Sequence, residues 1–298
     1  MGRRSSKQVN NLLQLLNKAI PFLLLIPFLV LFYNTIFLSA FMMIKQSLGF
    51  INISDISNIT FEYYLQVFSD PLFMKALRYT FYISIVSSFL CVFIATILVF
   101  LVYFSKDLSN KNSFLFRLPI FIPHCVYALL FIQFLSQTGV ISRFLVSFGV
   151  MSSFDFFPLL VNDKAGFSVI FLYIVKQVPF VFMLITLMIN KIDKKIIYTS
   201  FALGATKTTT IRKILLPLIS PVIISLFLLC FAFAFAGFEI PMLLGNTANE
   251  TISLRAYEFF TKPLSESKNY AMVLNSILTI ISFTSLFLYS YGMKKVKF

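Results

Sequence analysis

The stretch LISPVIISLFLLCFAFAFAGFEIPML at residues 218–243 decides the fold, because Glu239 is its only charged side chain. A helix needs about 20 predominantly apolar residues to cross the hydrocarbon core of a bilayer. This stretch is both long enough and apolar enough, so we predict that it forms a membrane-spanning helix.

Five further stretches of the same kind give six predicted spans. The spans are predicted at about 19–43, 78–104, 116–136, 166–190, 218–243 and 270–292. The composition agrees, with 59% hydrophobic and 12% charged residues, against roughly 45–50% and about 25% in soluble domains. The predicted fold is an all-α integral membrane protein with one domain at 19–292, an N-terminal segment at 1–18 and a basic tail at 293–298.

The first span shares one feature with a secretory signal peptide, since Leu38-Ser39-Ala40 is similar to a weak cleavage site. Its apolar run, however, is longer than the apolar region of about 7–15 residues in such peptides. We therefore expect an uncleaved helix.

The basic residues predict the orientation, because cytoplasmic loops of membrane proteins are enriched in Lys and Arg. If the N-terminus is cytoplasmic, the cytoplasmic pieces hold 16 basic and two acidic residues, whereas the opposite side holds eight of each. The net charge of +14 is therefore cytoplasmic and indicates topology rather than nucleic-acid binding. Both termini are predicted to lie on the cytoplasmic side.

The residues for enzyme chemistry are scarce. His124 is the single histidine of the chain, and no carboxylate or second histidine lies near it at the spacing of metal ligands. Cys91, Cys125 and Cys230 all fall inside predicted spans without paired spacing. GATKTTT at 204–210 lacks the glycine that precedes the lysine of a phosphate-binding loop. No catalytic residue, metal site or cofactor is predicted in this chain.

Three polar residues within or at the ends of spans are candidates for a substrate pathway, since such residues usually face a cavity or a partner. Glu239 either lines a route for a cation or caps the chain before Pro241. Lys176 either extends to the interface, pairs with an acid or lines a cavity. His124 is interpreted as a polar residue that packs between helices or lines a cavity.

Residues 191–217 interrupt the apolar pattern with a basic, polar segment. Ile196, Ile197, Phe201 and Ala205 recur at a helical spacing, which predicts a short helix that ends near Gly204. A second helix is predicted from about Thr206, and Pro217 is expected to redirect the chain into the fifth span. The segment is therefore predicted to be a helical hairpin on the cytoplasmic surface.

The same segment resembles the cytoplasmic loop of permease subunits of ATP-binding-cassette importers. The family pattern is Glu-Ala-Ala, three residues, Gly, nine residues and Ile-x-Leu-Pro, and Gly204, Ile214, Leu216 and Pro217 stand at those spacings. The departure is Tyr198-Thr199-Ser200, which occupies the place of Glu-Ala-Ala. The resemblance extends over about 60–292, through RYTFYISIVSSFL at 78–90. IPHCVYALLF and SQTGVISRFL within 121–145, and FAGFEIPMLLG at 235–245, are similar to permeases for polyamines, ferric iron and related ions.

The resemblance implies the six-helix type I permease fold and a role in solute import across a bacterial plasma membrane. It also implies that a coupling loop contacts cytoplasmic ATPase subunits; the residues concerned are Ala202, Gly204, Ala205, Ile211, Ile214, Leu216 and Pro217. The implied partners are two ATP-binding subunits that hold ATP and Mg, a second permease subunit, identical or homologous, and an extracytoplasmic solute-binding protein. The chain itself is then not an enzyme, and membrane lipid is its other contact.

A stand-alone secondary transporter or channel is the alternative from another functional class. Such a protein needs ionisable residues deep in its spans for ion coupling. Lys176 and Glu239 are the candidates for that role, and a membrane-embedded enzyme would need catalytic residues in addition.

Overall fold

The computed structural model describes residue 20 and residues 23–50, 59–104, 121–263 and 265–294. Six helical stretches among the described residues are long and apolar enough to cross a membrane, which confirms the predicted all-α, six-span fold; the third of them, His124–Ser147, comprises two successive shorter helices. In chain order the helices are α1 (Leu23–Ser47), α2 (Glu62–Ser69), α3 (Pro71–Phe104), α4 (His124–Leu135), α5 (Val140–Ser147), α6 (Phe167–Asn190), α7 (Lys194–Ala202), α8 (Lys207–Ala236), α9 (Glu239–Leu244), α10 (Ile252–Thr261) and α11 (Ser265–Lys294). The predicted segment 1–18, the first residues of the third span and residues 295–298 lie outside the described residues.

The spanning helices α3, α6 and α8 form the centre of the bundle. One apolar cluster fills the space between them, with Ala95 from α3, Val181 and Ile185 from α6, and Ile219 from α8 all buried. Helix α8 also packs along α11, and α10 packs against α11 as well. Small residues on α3 let the neighbouring helices approach closely, as is usual between membrane helices. These residues are Ser84, Ser87, Ser88 and Ala95.

The second span starts earlier than the predicted residue 78. Helix α3 begins at Pro71, and the Oδ1 atom of Asp70 accepts the N–H of Leu72 at 2.9 Å. Pro is well suited to the first turn of a helix, because its missing N–H would have no helical partner there. Lys75 and Arg78 lower the local hydropathy, which is why the sequence pattern placed the start too late.

Pro217 does not stand between two separate helices. Helix α8 runs without a break from Lys207 to Ala236, and Pro217 lies inside it. Residues Ile211–Leu215 form a π-helical turn that ends two residues before the proline, and the N–H of Leu216 bonds to the carbonyl of Ile211 five residues earlier. The wider turn changes the hydrogen-bond register where the proline ring would otherwise meet the preceding carbonyl.

The predicted fifth span, 218–243, covers two helices in the structure. Helix α8 ends at Ala236, and α9 begins at Glu239 after the two intervening residues Gly237 and Phe238. The third predicted span, 116–136, likewise ends in a helix, α4, that is followed by the separate short helix α5 inside the predicted loop at 137–165.

A clamp of three side chains joins α3, α10 and α11 at one end of the bundle. The Oδ2 atom of Asp70 accepts hydrogen bonds from the guanidinium of Arg255 at 2.6 Å and from the hydroxyl of Tyr270 at 2.7 Å. Burial by itself raises the pKa of Asp70, but the hydrogen bonds from Tyr270 and from the Leu72 N–H, with the charge and hydrogen bond of Arg255, outweigh it. The pKa of Asp70 is therefore lowered.

Replacing Asp70 by Asn is expected to destabilise the fold by about 2 kcal/mol at neutral pH, because it weakens two charge-assisted hydrogen bonds. A carboxyl with a lowered pKa stabilises the fold above its ordinary pKa, and this stabilisation is lost as the pH falls through the folded-state value. The difference in melting temperature between the wild type and D70N, measured in detergent, should therefore shrink as the pH is lowered below 4. The matched control is D155N, which changes an exposed carboxylate in the loop after α5. An equal loss of stability in D155N would contradict the clamp.

Candidate functional site

A cavity of about 820 Å³ lies between α6, α8, α9 and α11, and the first residue of α4 reaches it. Its wall is mostly apolar and aromatic, with Tyr173, Phe180, Phe233 and Phe238 among the lining residues. The side chains with polar groups other than Tyr173 are His124, Lys176, Gln177, Glu239 and Ser282. A largely apolar concavity with a few converging polar groups is the usual form of a small-molecule site.

The structure brings all three predicted pathway candidates to this cavity. The Nδ1 atom of His124 lies 3.8 Å from the Oε2 atom of Glu239, although the two residues are far apart in the sequence. Glu239 keeps 62% of its side-chain surface exposed and His124 keeps 44%. Their polar atoms are therefore accessible to a molecule in the cavity.

Lys176 lines the same cavity, but its ammonium group also has a structural role. The Nζ atom donates a hydrogen bond to the carbonyl of Ile122 and lies 5.3 Å from the ring centroid of Tyr127. Ile122 precedes Pro123 and the start of α4, so its carbonyl lies outside the helical hydrogen-bond ladder. Because a backbone carbonyl at membrane depth needs a donor within the protein, Lys176 ties α6 to the start of α4.

A break in the chain at Gly237 and Phe238 places Glu239 at the cavity. Gly237 stands at the end of α8, and Glu239 is the first residue of α9. Two other helices satisfy carbonyls at the break: Ser253 Oγ donates to the carbonyl of Gly237 at 2.7 Å, and Tyr173 Oη donates to that of Ala234 at 3.4 Å. The break is therefore held by side chains of α6 and α10.

The far end of α9 is also fixed. The carbonyl of Leu244 accepts the N–H of Asn162 at 3.1 Å and the hydroxyl of Ser168 at 3.3 Å. With both ends bonded, the short helix that carries Glu239 has a defined position against α6.

Tyr173, Gly237 and Ser253 were not among the residues predicted from the sequence. The available signal was the pair Gly237 and Pro241 inside an otherwise unbroken apolar run, since these two residue types interrupt helices. Neither residue indicates which side chains satisfy the interrupted backbone, so Tyr173 and Ser253 become evident only once the helices are packed.

The predicted hairpin at 191–217 is present as α7, a turn and the start of α8. Gly204 forms the turn with φ +81°, a conformation that glycine adopts without steric cost. The carboxylate of Asp193 caps α7, and the hydroxyl of Thr206 caps α8. Within the hairpin, the hydroxyls of Ser200 and Thr210 lie 2.9 Å apart and are buried.

The predicted coupling residues occupy different depths in this hairpin. Ala205, Ile211 and Ile214 are partly buried, whereas Ala202, Gly204, Leu216 and Pro217 are exposed. In the predicted apolar strip of α7, Ile197 is buried, but Ile196 and Phe201 are exposed. The spacing therefore identified the helix correctly, but most of its apolar strip faces outward.

Two permease proteins are similar in sequence to most of this chain. It is 28% identical over 279 residues to the probable ABC transporter permease protein YurN of Bacillus subtilis, which covers 89% of this chain and 93% of that protein. It is 26% identical over 232 residues to the spermidine/putrescine transport system permease protein PotB of Escherichia coli, which covers 76% of this chain and 80% of that protein. Residues 103–293 also match the family described as binding-protein-dependent transport system inner membrane component.

Solved structures share the fold. A chain in the crystal structure of a bacterial ABC transporter involved in the import of the acidic polysaccharide alginate superposes with a TM-score of 0.75 at 20% identity, over 96% of this chain and all of that one. A chain of the MetNI methionine ABC transporter in an inward-facing form superposes with a TM-score of 0.54 at 16% identity, over 74% of this chain and 96% of that chain.

Replacing Gly237 by Ala is expected to distort the break, because the added Cβ would overlap the hydroxyl of Tyr173. Overpacking of this kind costs about 1–3 kcal/mol, which would lower the melting temperature of the purified protein. In the Y173F background the nearest remaining atoms lie 3.1 Å (Phe233 O) and 3.2 Å (Tyr173 Cζ) from the added Cβ. Y173F should therefore restore part of the lost stability, and additive losses in the double variant would refute this account.

Proposed function

The chain belongs to the family of binding-protein-dependent transport system inner membrane components and is a permease subunit of an ABC importer. We propose that its cavity carries a small cationic solute such as a polyamine or a metal ion. The observation that supports this substrate class is the exposed carboxylate of Glu239 in the wall of the cavity. The resemblance to PotB points in the same direction.

Glu239 is the residue proposed to attract the solute. Lys176 already donates to the carbonyl of Ile122, so part of its hydrogen-bonding capacity is used within the protein. The carboxylate of Glu239 has His124 at 3.8 Å as its ion-pair contact, and His124 is charged only when protonated. A positively charged group of the solute would therefore pair with the carboxylate. The attraction would be stronger than in water, because the surrounding wall is apolar and has a lower dielectric constant.

The wall of the cavity favours an organic ammonium ion over a bare metal ion. The described residues contain no group of three or more His, Cys, Asp or Glu side chains that could surround a metal. Metal ions need several such ligands, whereas an ammonium group can rest against aromatic faces while its carbon chain contacts apolar side chains. The rings of Phe180, Phe233 and Phe238 offer such faces.

The proposed assembly has two permease subunits, two cytoplasmic ATP-binding subunits and an extracytoplasmic solute-binding protein. ATP and Mg are bound by the ATP-binding subunits, and hydrolysis takes place there. The chain crosses the bacterial plasma membrane with both termini in the cytoplasm, so that the basic hairpin at 191–217 faces the ATP-binding subunits. Closure of those subunits around ATP would move the hairpins and switch the packing between the two permease halves.

Replacing Glu239 by Gln should raise the apparent KM for polyamine uptake at least about 10-fold, because a charge-assisted contact is lost. The measurement is uptake of labelled spermidine by the complete importer in proteoliposomes, with Mn²⁺ and Fe³⁺ as competitors. The control is E258Q, an exposed carboxylate on α10 outside the cavity. Unchanged spermidine uptake in E239Q would show that Glu239 does not bind the solute. Competition by metal ions but not by other amines would contradict an organic cation as the substrate.

Replacing Gly204 by Pro should abolish co-purification of the ATP-binding subunits while the chain still inserts into the membrane. Proline requires a φ near −65°, which the turn at φ +81° cannot accommodate, and it removes the N–H that bonds to Phe201. G149P is a closely matched control, because Gly149 has φ +69°, an N–H bonded to Val146 and open space around it, but lies in the loop after α5. Equal loss of the ATP-binding subunits in both variants would contradict a docking role for the hairpin.

A further inference from the structure

Two buried oxygens beside the cavity have no hydrogen-bond partner among the described residues. They are the Oε1 atom of Gln177 on α6 and the Oγ atom of Ser282 on α11, and both are shielded from solvent. Both side chains belong to the lining of the cavity that Glu239 also lines. Because buried polar groups in natural proteins are almost always hydrogen-bonded, two unpaired oxygens at one cavity indicate a binding partner that enters it.

Ser282 differs in this respect from its neighbours on α11. A serine or threonine inside a helix can donate to a carbonyl of the preceding turn, which satisfies its hydroxyl without any other element. Four hydroxyls of α11 do so at 2.7–2.8 Å, those of Ser276, Thr279, Thr284 and Ser285. The Ser282 hydroxyl has no such bond and therefore keeps its capacity for a molecule in the cavity.

Gln177 lies about one helical turn further from the chain break than Tyr173 does. The hydroxyl of Tyr173 donates to the carbonyl of Ala234, close to the break that precedes Glu239. The end of α6 packs in the same apolar cluster as the start of α8, so the two helices run in opposite directions. Gln177 follows Tyr173 by one turn on α6, which places it about 6 Å further from the break.

Ser282 also lies away from the break. Helix α10 contributes Arg255 to the clamp with Tyr270 and contributes Ser253 to the carbonyl of Gly237, so the clamp and the break lie at the same end of the bundle. Between Tyr270 and Ser282, α11 advances by about 18 Å. The cavity therefore has a carboxylate near the break and two uncharged oxygens at greater depth.

The deeper end of the cavity accepts hydrogen bonds but offers no charge to a cation. Among the described residues that line the cavity, Glu239 is the only acid. The amide oxygen of Gln177 is an acceptor, and the hydroxyl of Ser282 can accept or donate. An elongated ammonium ion held at Glu239 would bring its opposite end to these oxygens. A methyl group at that end would leave them unpaired, whereas an N–H or O–H group would satisfy them.

We propose that Gln177 and Ser282 form a second subsite, which binds a hydrogen-bond donor at the far end of an elongated ammonium solute. The solute class is a linear aliphatic amine with an N–H or O–H group at the end opposite its ammonium group. The terminal torsion of a glutamine is soft, so the Gln177 amide turns its oxygen toward the donor at little cost. Phe180 and Phe233 line the cavity and contact the carbon chain. This proposal rests on the proposed function and adds the residues that select the far end of the solute.

The stability of the empty protein separates a binding role from a structural one. Q177L keeps the approximate size of the side chain and replaces an unpaired buried oxygen by an apolar group, which is neutral or stabilising when no partner is lost. Without solute, Q177L and S282A should therefore melt at or above the wild-type temperature in detergent. A clear decrease would show that the oxygens hold the fold together, for example through a bridging water, and would overturn the subsite.

The binding test uses the complete importer in nanodiscs without the solute-binding protein, so that the selectivity of that protein does not contribute. Labelled putrescine is displaced by putrescine, by its analogue with one hydroxyl end, or by pentylamine, in which a methyl group replaces the far donor. The wild type should bind the first two about 5-fold more tightly than pentylamine. Q177L and S282A should each reduce this preference, and Q177L/S282A should abolish it while its affinity for pentylamine stays within about 2-fold of the wild type.

The matched controls are Q133L and S290A, which change exposed residues of α4 and α11 outside the cavity lining and should keep the full preference. Equal binding of all three amines by the wild type would overturn the second subsite. An equal loss of affinity for all three amines in Q177L/S282A would overturn it as well. Failure of the proposed function has a different signature, because all three amines would then bind to E239Q as tightly as to the wild type.

Discussion

The need to satisfy every backbone polar group without water governs this structure, because lipid offers no hydrogen-bond partner in its interior. Continuous helices meet that need along most of each span. Residues 122 and 123, directly before α4, and residues 237 and 238, between α8 and α9, are not helical. At both places side chains from other elements supply the donors: Lys176 for the carbonyl of Ile122, Tyr173 for that of Ala234 and Ser253 for that of Gly237.

These two breaks, the non-helical residues 122–123 and 237–238, are also where the cavity lies. His124 begins α4 directly after the first break, and Glu239 begins α9 directly after the second. An unbroken α8 would continue past Gly237 and carry Glu239 in a different direction. The interruption thus costs helical hydrogen bonds but brings a carboxylate, an imidazole and an ammonium group into one apolar chamber.

The two functional regions of the chain differ in how they handle charge. At the cavity the carboxylate of Glu239 and the imidazole of His124 lie 3.8 Å apart in a largely apolar wall. In the hairpin at 191–217 the six basic side chains are exposed and outnumber its one acid, Asp193, so their field extends into solvent. The turn at Gly204, with its positive φ, lets the two helices of the hairpin fold back on each other over a few residues.

The sequence alone determined the six spans, their charge asymmetry, the glycine turn and the hairpin, because hydropathy, helical spacing and turn chemistry are local properties of a few consecutive residues. It also identified His124, Lys176 and Glu239, since polar residues stand out in an apolar chain. Only the tertiary structure decided that these three meet in one cavity, that Lys176 serves Ile122, and that Tyr173 and Ser253 hold the break at Gly237. It also decided that Pro217 lies inside the continuous helix α8, shortly after a π-helical turn. Such contacts depend on how helices far apart in the chain pack side by side, and no local pattern encodes which side chain will be opposite which backbone group.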